Sequence, residues 1–189
     1  MMMRSLYGLW TVTIMRADYI AGDTLRLLLT ALMPANRRAL EVSEATGLRI
    51  GDVLAIRTAD MRRQRWTVQE SKTGKGKRVY VPHKLWRECM QYAGEAYVWP
   101  SRNDPHRHRT RQAVYKDLRR VAGMYRLDGR KLREHVSPHT VRKVYAVEQY
   151  RRTGSMAKVR ALLNHSNEAV TMLYAMADML TDKRLRRGR

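Results

Sequence analysis

Residues 137–147, with the sequence SPHTVRKVYAV, are the stretch that decides the fold. Pro138 stands where a proline is tolerated, in the first turn of a helix that the sequence predicts over 138–152. The apolar positions that follow have the spacing of one buried helix face: Val141, Val144, Tyr145 and Val147. Because packing of that face fixes the helix, His139 and Arg142 are expected to project together from its start.

Apolar periodicity on either side of this stretch predicts more helices, over 23–33, 36–45, 50–56, 84–94, 110–125, 155–163 and 168–180. Asn36 is interpreted as the cap of the second helix. Between Trp66 and Pro82 the pattern changes to strand, glycine-containing turn and strand, and a short strand is expected over 96–99. The predicted class is mainly α (α+β), a helical domain with one small antiparallel sheet.

The charge of the chain points to a polyanionic partner. Lys and Arg number 38 against 17 Asp and Glu, a formal net charge of +21 in 189 residues. Such an excess repels itself in a compact fold unless a partner neutralises it. A ribosome-associated protein or an unspecifically basic surface is the alternative interpretation, and nucleic acid is the expected partner in either case.

Length and composition limit the organisation of the chain. It is long enough for one domain with a sizeable core, and no run of 18 apolar residues predicts a membrane span. Cys89 is the single cysteine, which excludes an intramolecular disulfide and favours a reducing, intracellular setting such as the cytoplasm. We expect residues 21–180 to form the domain, residues 1–20 an N-terminal arm or an artificial boundary of the chain, and residues 181–189 a basic tail.

The spacing His-x-x-Arg suits phosphate chemistry and occurs three times, at His139/Arg142, His106/Arg109 and His108/Arg111. In so arginine-rich a chain the spacing alone discriminates little. The second and third pairs lie in the polar loop 101–111 and are interpreted as solvated charge in reach of DNA phosphates. The first pair starts a helix with an apolar face, so its geometry is fixed.

Further motifs stand in a fixed order around that pair. Residues 46–49 are TGLR, residues 71–75 are SKTGK, residues 162–166 are LLNHS, and Tyr174 follows nine residues after His165. This series resembles the catalytic domain of the tyrosine recombinases of the phage integrase family. That domain carries an Arg in a TGLR turn, a Lys in a β-hairpin, an HxxR helix start, a His in an LGH turn and a nucleophilic Tyr. The resemblance spans about residues 23–179.

By this resemblance the catalytic residues would be Arg49, Lys72, His139, Arg142, His165 and Tyr174. The family implies cleavage and rejoining of duplex DNA through a 3′-phosphotyrosyl intermediate and a free 5′-hydroxyl. Because the covalent ester keeps the bond energy, no ATP, cofactor or metal is expected. Four protomers on DNA, a free monomer and an accessory DNA-bending protein are the expected partners.

The chemistry explains why these residue types are needed. Two guanidiniums stabilise the charge on a phosphoryl centre, and His165 is a further donor. A phenol has a pKa of about 10, so Tyr174 needs cationic surroundings and an acceptor, for which His139 is the candidate. Lys72 would protonate the departing 5′-oxygen, with Lys75 as a rival for that role.

Two departures from the family pattern stand out. Asn164 replaces the usual Gly before the second histidine, and Asn tolerates left-handed backbone. Lys143 stands where a histidine is common, and no catalytic consequence is expected. The N-terminal DNA-clamping domain of many members has no counterpart before the first helix, which indicates either a minimal recombinase or a catalytic fragment.

Other interpretations remain open. The chain could be a DNA-binding module that keeps the fold without cutting, or a type IB topoisomerase-like relaxing enzyme. Tyr174 could be a core tyrosine, since it lies on a predicted helix with apolar residues such as Val170 and Leu173. A zinc site built from His106, His108 and Cys89 lacks convergent spacing.

Overall fold

The structure is a computed structural model that describes residues 22–127, 130–132 and 136–164. Its helices are α1 Gly22–Thr30, α2 Pro34–Thr46, α3 Ile50–Leu54, α4 His83–Met90, α5 Arg111–Ala122, α6 Pro138–Thr153 and α7 Met156–Leu162. Its strands are β1 Arg65–Gln69, β2 Gly76–Tyr80, β3 Arg126–Leu127 and β4 Arg130–Lys131, and a 3₁₀ turn covers Asp60–Arg62. The predicted mainly helical class with a small antiparallel sheet is confirmed.

Helix α2 is the centre of the packing, since it contacts α1, α3, α4 and α6. The main core consists of leucine, valine and tryptophan side chains from nearly every element, among them Leu25, Leu40, Leu54, Trp99, Leu118 and Val141. A smaller cluster joins α6 to α7 through Tyr145, Ala146, Val159 and Leu163. The apolar face predicted for α6 is therefore its buried face. In the part of the chain that the structure describes, no helix is long and apolar enough to cross a membrane.

Proline and glycine set the two ends of α2. Pro34 occupies the first turn, so the helix begins two residues before Asn36, and the prediction of Asn36 as its cap is wrong. The Asn36 side chain is buried instead and donates to the Asp117 carboxylate of α5 at 2.8 Å. Gly47 ends the helix in a left-handed conformation with φ +67°, and its amide donates to the Ser43 carbonyl at 2.8 Å.

The hairpin of β1 and β2 was predicted correctly. Its strands pair antiparallel from Arg65 with Tyr80 to Gln69 with Gly76. Val68 and Val79 are the buried positions of the two strands, and residues 70–75 form the connecting turn. This register places the turn next to α3, because the Ser71 amide and hydroxyl both donate to the Asp52 carboxylate, at 2.9 and 2.7 Å.

Several predicted boundaries differ from the structure. Helix α1 ends at Thr30 in a turn of i to i−3 hydrogen bonds, and α4 ends at Met90 rather than at Gly94. The prediction of a strand over 96–99 is wrong. The Gly94 amide donates to the Tyr97 carbonyl, so the chain turns back on itself here, and Tyr97 forms an isolated β-bridge with Arg57. Strands β3 and β4 are too short to have shown a periodicity. The helix predicted over 168–180 lies outside the described residues.

Candidate active site

Arg49 is positioned by the turn between α2 and α3. Its carbonyl accepts the first hydrogen bond of α3, from the Val53 amide at 3.0 Å, so Arg49 caps the helix as the sequence predicted. The Ser43 hydroxyl donates to the Leu48 carbonyl at 2.7 Å and holds the turn against α2. The Arg49 side chain is only 19% exposed, and packing thus restricts the direction of its guanidinium.

Arg142 lies on the buried side of α6, one turn after the helix begins. Its side chain is 3% exposed, and its Nη2 donates to the Leu163 carbonyl at 2.5 Å. That carbonyl belongs to the turn after α7, in which Asn164 takes φ +51°. The expectation that Asn164 adopts left-handed backbone is therefore confirmed, and Arg142 ties α6 to the turn that precedes His165.

Lys72 lies in the exposed turn of the hairpin. The turn is closed at its base by Glu70, whose amide donates to the Lys75 carbonyl at 3.1 Å and whose carbonyl accepts from the Gly74 amide at 2.8 Å. Ser71 holds the same turn to Asp52 of α3. The backbone around Lys72 is thus fixed while its side chain reaches solvent.

Glu70 brings the two candidate arginines together. Its side chain is fully buried, and its Oε1 lies 3.3 Å from Arg49 Nη1 and 3.6 Å from Arg142 Nη1. The arginines come from the α2–α3 turn and from α6, far apart in sequence. A shared counter-ion places their guanidiniums side by side, in the arrangement that binding of one phosphate requires.

Lys77 of β2 also belongs to this group, although it is not among the residues that the sequence predicted for the site. Its Nζ donates to the Thr46 carbonyl at 2.7 Å and lies 5.6 Å from the centre of the Tyr145 ring. The pKa of Lys77 is lowered to about 8, mainly by burial and also by the charges of Arg142 and Arg49, while Glu70 acts in the opposite direction. The alternation of side chains along β2 could have indicated this position, because Lys77 lies on the same face of the strand as the buried Val79.

His139 is the second residue of α6, and its pKa is lowered from the ordinary value. Partial desolvation is the largest cause, and the charges of Arg142, Arg49, Lys143 and Lys72 follow. The start of a helix also disfavours an imidazolium. Neutral imidazole therefore predominates near pH 7, and a neutral ring nitrogen can accept a proton.

Four of the six predicted residues thus share one region: Arg49, Lys72, His139 and Arg142. His165 and Tyr174 lie outside the described residues. The structure adds three residues that the sequence analysis did not select, Asp52, Glu70 and Lys77. Among the described residues, no group of three or more His, Cys, Asp or Glu side chains is placed to hold a metal ion.

In each of the other two His-x-x-Arg pairs, one member differs from the interpretation as solvated charge. The Arg109 guanidinium is half-buried and donates to the Asn36 side chain at 3.2 Å, and burial lowers its pKa. A ring nitrogen of His108 lies 2.8 Å from the Arg109 carbonyl. The contacts of Arg109 and His108 are therefore within the protein. His106 and Arg111 remain exposed.

Comparison with known proteins identifies the family of the chain. The family model described as "Phage integrase family" matches residues 19–180. The chain belongs to the phage integrase family. It is similar to the probable integrase/recombinase YoeC of Bacillus subtilis (29% identical, 70% of this chain and 72% of the relative). It is also similar to the tyrosine recombinase XerD of Bradyrhizobium diazoefficiens (28% identical, 71% of this chain and 46% of the relative).

Solved structures show the same fold. A lambda integrase dimer bound to a core site superposes with a TM-score of 0.66 at 18% identity, over 85% of this chain and 59% of that one. XerA recombinase superposes with a TM-score of 0.65 at 18% identity, over 96% of this chain and 69% of that one. The chain spans less than half the length of the Xer relatives that it matches.

Proposed function

We propose that this protein is a site-specific DNA recombinase, an integrase, that cleaves and rejoins duplex DNA through a 3′-phosphotyrosyl intermediate. The observation that supports it is the convergence of Arg49 and Arg142 on one point, 3.3 and 3.6 Å from a shared carboxylate oxygen. Two fixed guanidiniums with a neutral imidazole and a lysine beside them form a site for an anion that gains charge as it reacts.

Each residue has a role in the proposed reaction. Arg49 and Arg142 bind the non-bridging oxygens of the scissile phosphate, with His165 as a third donor. Tyr174 attacks phosphorus as its proton passes to His139. The bond from phosphorus to the 5′-oxygen breaks, and Lys72 delivers the proton that the departing hydroxyl needs. Attack of another strand's 5′-hydroxyl on the phosphotyrosine reverses these steps and releases the tyrosine.

The proposed partner is duplex DNA, in agreement with the net charge of +21. A lambda integrase tetramer bound to a Holliday junction superposes on this chain with a TM-score of 0.64. By analogy we propose four protomers of this protein on two recombining duplexes. Residues 21–180 would form the catalytic domain, with residues 1–20 and 181–189 as extensions.

A covalent trap tests the proposal. A duplex nicked near the cleavage position loses a short fragment after attack, so the phosphotyrosyl protein cannot religate and accumulates. We expect the wild type to form this adduct in the absence of metal and ATP, and Tyr174→Phe to form none. Tyr92→Phe, a change of an exposed tyrosine, is the matched control and should behave as the wild type.

Other outcomes point to the alternative functions. DNA binding without any adduct in the wild type indicates a non-cutting module of the same fold. Relaxation of supercoiled DNA without exchange between sites indicates a topoisomerase-like enzyme. An adduct that persists in Tyr174→Phe assigns the nucleophile to another residue.

A further inference from the structure

Glu70 is an unusual residue in a site that is to bind a phosphate. It follows β1 directly, its side chain is completely buried, and its neighbours are Arg49 and Arg142. A buried carboxylate is costly unless cationic partners surround it. Two neighbouring buried arginines likewise repel each other unless an anion lies between them. Glu70 and the arginines therefore depend on each other for their positions.

The two oxygens of Glu70 serve different parts of the site. Oε1 faces Arg49 and Arg142, while Oε2 accepts a hydrogen bond from the Thr73 hydroxyl at 3.2 Å. The Glu70 carbonyl also accepts from the Thr73 amide at 3.2 Å and the Gly74 amide at 2.8 Å. These bonds enclose Lys72, so one residue contacts both the arginine pair and the turn that carries the lysine.

We propose that Glu70 is a positioning residue that holds the Arg49 and Arg142 guanidiniums in register with each other and with the Lys72 turn before DNA binds. This role rests on the proposed function, since it concerns the same reaction. Its physical basis is that three parts of the site, from the α2–α3 turn, the hairpin and α6, share one carboxylate. Glu70 itself contacts the arginines and the turn rather than the DNA.

The opposite role would be that of a competitor which occupies the place of the phosphate. A competitor has to leave when DNA arrives, and it therefore needs a side chain that can move to solvent. Glu70 is fully buried, and its second oxygen and its backbone are both bound within the turn. The contacts thus favour positioning over competition.

The kinetic test compares Glu70→Gln, which keeps the shape and removes the charge, with Glu70→Asp, which keeps the charge. Glu95→Gln, at an exposed position, is the matched control for the change of net charge. We expect single-turnover adduct formation to fall about 100-fold in Glu70→Gln, the loss that a misplacement of about 1 Å produces. DNA affinity should change little, Glu70→Asp should recover part of the rate, and Glu95→Gln should equal the wild type.

A substrate with sulfur in place of the bridging 5′-oxygen separates the two contacts of Glu70. Sulfur leaves without a proton, so this substrate restores the part of the loss that comes from a displaced Lys72 and not the part that comes from the arginines. Glu70→Gln that cleaves as fast as the wild type overturns the proposal. Tighter DNA binding with faster cleavage also overturns it, in favour of competition.

A measurement that needs no cleavage distinguishes failure of this proposal from failure of the proposed function. Acetylation of the Lys77 amine with a trace reagent, followed by mass spectrometry over a range of pH, reports its pKa. Glu70 favours the charged amine while Arg142 and Arg49 oppose it, so the midpoint of about 8 should fall in Glu70→Gln and stay unchanged in Glu95→Gln. If the wild type forms no adduct, the recombinase assignment fails, and this titration still decides whether Glu70 holds the cluster. An unchanged midpoint in folded Glu70→Gln contradicts the proposal.

Discussion

At the scale of single residues, the site is defined by cations that the fold keeps close together. Arg49 and Arg142 share one buried carboxylate, and burial together with the charges of these arginines lowers the pKa of Lys77 to about 8. His139 stays neutral near pH 7 because it is partly desolvated and has cationic neighbours. A phosphodiester that enters such a region supplies the negative charge that the site lacks.

Lys72 is expected to be the general acid, and Lys72→Ala should slow adduct formation on ordinary DNA by about 10²- to 10⁴-fold, the usual contribution of a positioned acid. Lys72 is among the groups whose charge lowers the pKa of His139, which places it near that residue. A 5′-bridging sulfur makes the acid unnecessary, so this substrate should restore the rate of Lys72→Ala in the nicked-duplex assay.

Lys75→Ala is the control for that experiment, because Lys75 is exposed in the same turn. It should retain most of the rate on ordinary DNA. Rescue by sulfur of Lys75→Ala instead of Lys72→Ala would transfer the role of acid to Lys75.

The sequence could predict those site residues that stand in recognisable motifs. Arg49, Lys72, His139 and Arg142 each stand in a short motif, so order and context sufficed to select them. Glu70 and Lys77 have no motif, and their importance arises only when the hairpin packs against α2 and α6. Arg109 shows the reverse case, because its place in the polar loop 101–111 suggested solvated charge, while it is half-buried and bonded to Asn36.

At the scale of elements, turns rather than helix centres set the geometry of the site. The α2–α3 turn carries Arg49, the β1–β2 turn carries Lys72, and the turn after α7 accepts a hydrogen bond from Arg142. Periodicity predicted most of the connected elements correctly. It failed over 96–99, where one hydrogen bond from Gly94 folds the segment back on itself, and no local pattern records such a bond.

Gly47 tests the importance of the α2–α3 turn. It has φ +67°, and a Cβ at this position would overlap ring carbons of Tyr145. Left-handed backbone costs an alanine roughly 1–2 kcal/mol, and overpacking adds about 1–3 kcal/mol. Gly47→Ala should therefore lower the free energy of unfolding by about 2 kcal/mol or more, measured by urea denaturation.

Gly74→Ala provides a matched control, because Gly74 has φ +64° and a Cβ there meets nothing within 4 Å. It should cost only the backbone strain of about 1 kcal/mol. Equal losses in the two variants would show that the overlap of the new Cβ with the Tyr145 ring adds no cost beyond the backbone strain.

At the scale of the whole molecule, the excess of cations exceeds what the site itself uses. Five cationic or titratable groups lie together in the candidate site, namely Arg49, Lys72, Lys77, His139 and Arg142, whereas the chain carries 38 Lys and Arg against 17 acids. The remaining excess has no role in the chemistry of one phosphodiester. It agrees instead with a protein that contacts many phosphates along a duplex.

Salt dependence measures this wider contact. We expect the logarithm of the association constant for duplex DNA to fall linearly with the logarithm of salt concentration, by about 0.9 per phosphate neutralised. Fluorescence anisotropy of a labelled duplex, with Tyr174→Phe to prevent cleavage, gives this slope directly. A duplex of unrelated sequence is the control and should give a similar slope, because the release of counter-ions does not depend on sequence. A slope near zero would contradict the expectation of an extended contact with DNA. The positive charge of the chain would then serve another purpose.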